Sequence, residues 1–202
     1  MKIALIGVTG RVGSRLATEL LSRGHTVIGI ALHASPSARP GLTILQADAT
    51  KPDSLAPCLV GHDGVISAVR FVTSDADALI TAVKTAGVKR LLVVGGAGSL
   101  EVAPGEALMD TDGFPEAFRA EAMAGARFLE RLRAEPDLDW TFLSPSADFA
   151  AGERRGNFRL GGDQLLTDAA GKSHISMEDF AIAMVDELEQ PAHSRRRFTV
   201  GY

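Results

Sequence analysis

Three glycines near the amino end constrain this chain more than any other feature of its sequence. The apolar run Ile3–Ile6 ends at Gly7, and Gly10 and Gly13 follow at intervals of three before a helical periodicity begins. The pattern predicts a strand, a tight turn and a helix start. Gly7 would let the chain reverse, Gly10 would let the backbone approach a bound group, and Gly13 would let the helix lie close to the strand. Because a helix N-terminus attracts anions, the turn predicts a dinucleotide pyrophosphate site; the alternative is a turn that binds nothing.

Strand-like and helix-like segments alternate over the first two thirds of the chain. This alternation predicts an α/β fold: a doubly wound, Rossmann-type, mostly parallel sheet with helices on both faces. The 202 residues are expected to form one dinucleotide-binding domain, with residues 145–202 as a small C-terminal cap on the substrate side. Strands are predicted at 2–6, 26–31, 42–46, 63–68, 90–94, 139–143, 157–160, 164–166 and 198–201. Helices are predicted at 11–23, 52–60, after a Ser74 cap, at 115–133, and from a Ser176 cap to 189, with 101–114 irregular.

Composition excludes several classes of function. The net charge of −4 gives no basic field for nucleic acid or an anionic membrane. The sequence has no apolar run near the ~18 residues that span a bilayer. The single cysteine, Cys58, allows neither an internal disulfide nor a cysteine metal site, and the histidines lack a second ligand at useful spacing, so no metal is expected. We expect a cytoplasmic protein, a monomer or homodimer, whose partner is a small molecule. The run Arg195–Arg197 is interpreted as a solvated strand end.

The ends of the predicted strands supply the candidate nucleotide contacts. Leu32 and His33 follow strand two, where an acid would favour NAD and an arginine NADP; neither is present, so the choice is open, and Arg39 is a nearby candidate. Asp48 has two interpretations: it accepts a bond from the adenine, or it caps the next helix. The small residues Ser67, Ala68 and Val69 would let a ribose or adenine lie close.

The later strand ends supply candidates for the nicotinamide and substrate side. Strand five ends in Gly95–Ser99, and Ser99 is the nearest hydroxyl, with a turn role as its alternative. Ser144, Pro145 and Ser146 end strand six and would flank the nicotinamide ring. The remaining candidates are Phe149 and Phe158 as walls of a substrate pocket, and His174 as a proton donor or a helix-entry residue.

One reaction mechanism is excluded by the sequence. Many short-chain reductases use a tyrosine with a lysine four residues later, but the only tyrosine of this chain is Tyr202, and the predicted long helix carries Phe118-Arg119 instead. A hydride passed to a flavin or quinone does not need that pair, because the reduced anion is delocalised and takes its proton from solvent.

With these residues in view, the chain resembles atypical short-chain dehydrogenase/reductases that bind NAD(P)H, including NmrA-like and flavin reductase/biliverdin-IXβ reductase-like proteins. The resemblance covers essentially the whole chain and is carried by the segments 3–13, 61–68, 86–100, 137–145 and 197–202. It implies phosphate contacts from the glycine turn, adenine contacts from Asp48 and Ala49, and ribose contacts from residues 67–69. The implied phosphate residues are Gly7, Thr9, Gly10, Arg11, Val12 and Gly13, and the implied nicotinamide-side residues are Gly96, Ala97, Gly98, Ser99 and Pro145.

The sequence departs from the family pattern at Leu32, where many members carry an arginine, and at Phe118-Arg119. The resemblance implies an NAD(P)H-dependent reductase acting on a flavin (FMN or riboflavin), a quinone or a similar planar acceptor. Two alternatives stay open: a non-catalytic NAD(P)-sensing regulator of the NmrA type, and a sugar-nucleotide epimerase.

Overall fold

A computed structural model of the chain describes residues 1–33 and 39–202. Five α-helices and twelve strands follow one another along the described chain. The helices are α1 (Arg11–Ser22), α2 (Pro52–Leu59), α3 (Ala76–Thr85), α4 (Glu116–Arg133) and α5 (Met177–Glu189). The strands are β1 (Lys2–Ile6), β2 (Thr26–Ala31), β3 (Leu42–Gln46), β4 (Gly64–Ser67), β5 (Arg90–Val94), β6 (Glu101–Ala103), β7 (Glu106–Ala107), β8 (Asp139–Ser144), β9 (Asp148–Ala150), β10 (Arg159–Gly161), β11 (His174–Ser176) and β12 (Arg196–Gly201).

Eight strands form one sheet in the order β3-β2-β1-β4-β5-β8-β12-β10. All neighbours are parallel except β10, which runs antiparallel to β12. The first strand pairs with β2 through Lys2↔Thr26 and with β4 through Ile3↔Gly64. Strand order therefore reverses between β1 and β4, and the crevice at the carboxyl ends of these two strands is where open α/β sheets bind ligands.

Two apolar cores cover the two faces of the sheet, as the fold prediction required. Leu16 and Leu20 of α1 and Phe180 of α5 belong to one buried cluster, and α1 and α5 pack against each other on that face. Leu55 of α2, Leu79 of α3 and Leu129 of α4 belong to the cluster on the other face. The central strands are buried on both sides, which explains their continuous apolar sequences. The predicted doubly wound, mostly parallel sheet is confirmed.

Ion pairs concentrate at the edge of the sheet where the parallel strands begin, which we call the amino edge. Arg23 bonds Glu19, Asp186 and Glu189 there, tying the end of α1 to the end of α5. The buried Arg90 guanidinium donates to Glu187 Oε1 at 2.9 Å and to the Thr141 hydroxyl at 2.7 Å. Further hydrogen bonds to Glu187, from the main chain and ring of His193, lower its pKa overall, although its burial acts in the opposite direction.

Local differences from the predictions have physical causes. Asp75, not Ser74, caps α3, because the Asp75 carboxylate accepts the Ala78 N–H at 3.0 Å. The segment predicted as irregular contains the antiparallel pair β6–β7, and β9 pairs in parallel with β11. In the segment predicted as strand 164–166, Gln164 forms only an isolated bridge with Glu101.

The last third of the chain is only partly a cap. Its helix α5 packs on the sheet face against α1, and β12 extends the sheet. Residues 145–149 and Ser173 are the parts that reach the cavity described below. In the ranges 1–33 and 39–202, none of the helices combines the length and hydropathy needed to cross a membrane.

Candidate nucleotide and acceptor site

The glycine turn, Gly7–Gly13, lies at the carboxyl end of β1, where strand order reverses. Gly7 has a φ of +82°, and a Cβ built on it would lie 2.7 Å from the Ala68 carbonyl oxygen. A Cβ on Gly13 would lie 2.1 Å from the Gly7 carbonyl oxygen. Real Cβ atoms do not come so close to backbone atoms, so the turn and the start of α1 require glycine at both positions.

Gly10 differs from the other two glycines because the space beside it is open. A Cβ there would meet a single neighbour, the Gly7 carbonyl oxygen at 3.2 Å. Gly10 is the N-cap of α1, and the first helical bond runs from Ser14 N to Gly10 O at 2.9 Å. The N–H groups of Arg11, Val12 and Gly13 therefore have no helical acceptor.

The electrostatics of this helix start favour an anion. The first turn of α1 carries no acidic residue and its cap has no side-chain hydrogen bond. The positive end of the helix dipole is thus left uncompensated. Thr9, Gly10 and Arg11 are exposed. An open cradle, free N–H donors and an arginine fit the pyrophosphate of a dinucleotide.

The residues predicted near the adenosine end lie at the carboxyl ends of β2, β3 and β4. Leu32 is 57% exposed and His33 is exposed. The Arg39 guanidinium donates to the Thr18 hydroxyl of α1 at 3.1 Å. Residues 34–38, part of the predicted loop, lie outside the described residues. Neither an acid nor an arginine occupies position 32, so the geometry leaves the choice between NAD and NADP open.

Asp48 has a local role in the loop before α2, but it does not cap that helix, whose N-cap is Lys51 with no side-chain hydrogen bond. Its carboxylate accepts the Thr50 hydroxyl at 2.7 Å and the Thr50 N–H at 3.0 Å. The Thr50 hydroxyl is the main reason that the pKa of Asp48 is lowered. Ala49 beside it is half-buried, and Ser67 is 3% exposed at the end of β4. The Ala68 carbonyl and the Val69 side chain abut the Gly7 turn, at 2.7 Å and 3.1 Å from a Cβ built on Gly7.

A cavity of about 710 Å³ adjoins the turn and is called the main cavity here. Its volume falls within the range of small-molecule sites. Arg11 of the glycine turn and residues 95–99 after β5 line one side. Pro145, Ser146 and Phe149 line another, as the sequence indicated. The apolar walls that the sequence analysis missed are Phe71, Leu108, Phe114, Pro115 and Phe118. The spacing of Phe114 and Phe118 around the predicted helix start was the available signal for two of them.

The hydroxyl groups of the cavity differ in how their protons are used. Thr111 donates to the Leu108 carbonyl at 2.8 Å, and Ser146 donates to the Val200 carbonyl at 3.0 Å. Ser99 Oγ instead accepts a bond from the Arg197 guanidinium at 3.0 Å. Arg197 was another residue that sequence reasoning missed, because it lies in a run interpreted as solvated.

Three predicted residues lie away from the main cavity. Ser144 is fully buried at the end of β8 and does not line the cavity. Phe158 lines a separate depression near Phe198 and His193. His174 points elsewhere: its ring packs on Tyr202 with centroids 5.0 Å apart, and its Nδ1 lies 3.9 Å from an Asp168 oxygen. His174 is the first residue of strand β11, which directs its side chain away from the main cavity. The sequence pattern did not predict this strand.

The fold and the glycine turn define the class: a doubly wound α/β protein of Rossmann type, with a glycine turn at its switch point. Residues 7–191 match the sequence profile of a family described as NAD(P)H-binding. The chain therefore belongs to this NAD(P)H-binding family.

Solved structures with the same fold cover the whole chain. A protein of Burkholderia pseudomallei described as a candidate exported protein is 46% identical, with a TM-score of 0.92 and all of both chains covered. A candidate epimerase of Bacteroides thetaiotaomicron is 43% identical, with a TM-score of 0.94, and 100% of this chain and 96% of that chain are covered. SP1627 of Streptococcus pneumoniae TIGR4, a candidate NADH-flavin reductase, is 36% identical, with a TM-score of 0.84, and the coverage is 100% and 99%.

Proposed function

We propose that this protein is an NAD(P)H-dependent reductase that passes a hydride to a flavin, a quinone or a similar planar acceptor. One observation carries the proposal: Arg11 of the glycine turn and residues 95–99 line a single cavity together with four phenylalanine rings. A nucleotide held at the turn would therefore have its reactive end beside an aromatic pocket. The similarity to a candidate NADH-flavin reductase supports the same reaction class.

The aromatic walls favour a flat acceptor. Phe71, Phe114, Phe118 and Phe149 line the cavity, and offset or edge-to-face contacts with a flat conjugated ring are favourable. A planar ring system also matches the limited set of polar groups in the cavity, where Thr111 and Ser146 already donate to carbonyl oxygens.

The chain's own residues position the reactants. The bound nucleotide supplies the hydride. The N–H groups of the first turn of α1 and Arg11 hold its phosphates. Pro145 and residues 95–99 limit where its reactive end lies, and Phe118 and Phe149 orient the acceptor and exclude water. A tyrosine proton donor is not needed, and the Tyr202 hydroxyl is bonded to Asp179 Oδ2 at 2.7 Å.

Two alternatives make different demands on the site. A non-catalytic nucleotide sensor is favoured by the engaged Thr111 and Ser146 hydroxyls, which leave few proton donors in the cavity. An epimerase is favoured by similarity to a candidate epimerase. It is disfavoured because none of the lysines in this sequence lies four residues after a tyrosine.

Absorbance at the reduced-nicotinamide band separates the reductase from both alternatives. Purified protein is mixed with NADH or NADPH and, in turn, with riboflavin, FMN and a quinone. The reductase proposal predicts acceptor-dependent loss of the band. Micromolar nucleotide binding without turnover of any acceptor would contradict the reductase and leave the sensor and the epimerase.

A matched pair of variants locates the acceptor. Phe118→Ala is expected to raise the KM for the acceptor about three- to tenfold, through loss of one aromatic contact. Met123→Ala is the control, because Met123 is also exposed on α4 but does not line the main cavity. Equal effects of the two changes would argue against an acceptor beside Phe118.

A further inference from the structure

The run Arg195–Arg197 contains one arginine that behaves unlike its neighbours. Arg195 and Arg196 are exposed, whereas the Arg197 side chain is only 4% exposed. Arg197 lies in β12, where it is in register with Phe142 of β8. Burial of a guanidinium is costly unless its donors are satisfied, so its partners show what the residue holds in place.

The Arg197 guanidinium bridges two loops. Its Nε donates to Asp163 Oδ1 at 2.6 Å, and its Nη2 lies 2.5 Å from the same oxygen. Its Nη1 donates to the Ser99 carbonyl at 2.9 Å and to Ser99 Oγ at 3.0 Å. The carboxylate fixes the guanidinium, and the guanidinium fixes both the backbone and the side chain of Ser99 on the cavity wall.

This contact determines what the Ser99 hydroxyl can do. One lone pair of Ser99 Oγ faces a cation, so the hydroxyl is a poor proton acceptor there. A donor bond from a charged group polarises the O–H and strengthens it as a donor in turn. The Thr111 and Ser146 hydroxyls donate their protons to carbonyl oxygens. Arg197 is the donor in its bond with Ser99 Oγ, so that bond does not use the Ser99 proton.

We propose that Arg197 is a positioning residue that holds the Ser99 hydroxyl as a hydrogen-bond donor to the acceptor, at the oxygen or nitrogen that gains negative charge. The inference rests on the proposed reductase function. In the reaction the nicotinamide is oxidised as its hydride passes to the acceptor. The acceptor is reduced to an anion, and solvent supplies the proton that completes reduction. Ser99 stabilises the anion without giving up its proton, and Arg197 acts only through Ser99.

The first test measures binding rather than turnover. An anionic hydroxynaphthoquinone serves as a probe whose charged oxygen imitates the reduced acceptor, and neutral menadione serves as its uncharged counterpart. Loss of a hydrogen bond to a charged group corresponds to about a tenfold to hundredfold loss of affinity. Ser99→Ala and Arg197→Gln should each weaken the anionic probe by this factor and leave menadione within threefold. Equal weakening of both probes would overturn the proposal, because a merely misfolded wall would not distinguish charge.

The second test measures kinetics. Both variants should lower kcat about tenfold, with the KM for the nucleotide unchanged, and the double variant should be no slower than Ser99→Ala alone. Arg197→Lys should recover part of the loss and guards against a folding failure of Arg197→Gln. Arg133→Gln is the control, because Arg133 reaches the same Asp163 oxygen at 3.5 Å from an exposed position.

The outcomes separate the two proposals. Additive losses in the double variant, or an unchanged kcat in Ser99→Ala, would overturn the role of Arg197 while the reductase stands. Absence of turnover in the unaltered protein with every acceptor would overturn the reductase, and the role of Arg197 with it.

Discussion

Replacement of Gly10 by alanine should weaken nucleotide binding strongly while lowering the stability of the fold only slightly. Gly10 has an extended backbone, with φ −72° and ψ 170°, which alanine adopts without strain. The added Cβ meets one atom, the Gly7 carbonyl oxygen at 3.2 Å. Alanine is a poorer N-cap than glycine, so the expected loss of stability is about 1 kcal/mol. That corresponds to about 2–4 °C in Tm for a chain of this size.

The effect of Gly10→Ala on binding should be much larger. The Cβ occupies the space through which a pyrophosphate approaches the N–H groups of Arg11 and Val12. Displacing the phosphates from two charge-assisted bonds costs about 3 kcal/mol. The affinity for NADH and NADPH should therefore fall about a hundredfold. Fluorescence titration gives the affinity, and thermal unfolding without nucleotide gives the stability of the same samples.

Two other glycines are the controls. Gly24 has a φ of +79° and no atom within 4 Å of a built Cβ. Gly24→Ala should cost about 1–2 kcal/mol from the left-handed backbone alone and leave affinity unchanged. Gly13→Ala should prevent normal folding, since its Cβ would lie 2.1 Å from Gly7 O. If Gly10→Ala keeps its nucleotide affinity within threefold, the phosphates do not lie on this turn.

Two further predictions concern nucleotide choice and acid stability. Leu32→Arg should raise the affinity for NADPH relative to NADH about tenfold, because an arginine there can pair with a 2′-phosphate. Titration with both nucleotides tests this, with Leu45→Arg on β3 as the control. An unchanged affinity ratio would place the ribose elsewhere. Glu187→Gln should cost about 3 kcal/mol, or about 6–12 °C in Tm, because buried Arg90 loses its buried charge partner and keeps only the partly exposed Asp139 at 3.3 Å. Glu189→Gln, at a half-exposed pair, should cost under about 1 kcal/mol. The pKa of Glu187 is lowered from 4.5 on folding, so its contribution is present above pH 4.5 and is lost as the pH falls through the lower folded value; a Tm of the unaltered protein that stays flat to pH 3 would contradict this assignment.

The architecture was predictable because it depends on hydrophobic periodicity and on glycine positions, both of which can be read from short stretches of sequence. Apolar strands alternating with amphipathic helices require a parallel sheet covered on both faces, and the glycines at 7 and 13 required a tight β1–α1 turn. The pairs β6–β7 and β9–β11 were missed, since strands of two or three residues have no measurable periodicity. The sequence predicted Ser74 as the α3 cap instead of Asp75 because the two residues are adjacent and either type can serve.

The walls of the site were predicted less completely than the turn. Residues in the loops that follow strands, such as Pro145 after β8 and Ser99 after β5, are placed by topology and reached the cavity as expected. Phe118 lies on a helix, and its contribution depends on how α4 is rotated and tilted, which sequence does not give. Arg197 was interpreted as solvated because its neighbours are charged; its burial depends on Asp163, which is 34 residues away in the chain.

The ion pairs of the amino edge lie far from the glycine turn, and this distance affects how substitutions at the two edges combine. A five-residue strand is about 16 Å long, and this length separates Arg90 and Glu187 from the glycine turn at the opposite edge. Effects of substitutions that far apart usually add. We therefore expect substitutions in the Arg23 and Arg90 networks to change the melting temperature without changing the proposed ligand contacts at Leu32, Phe118 and Ser99. Stability can thus be changed at the amino edge with little effect on the proposed ligand contacts at the carboxyl edge.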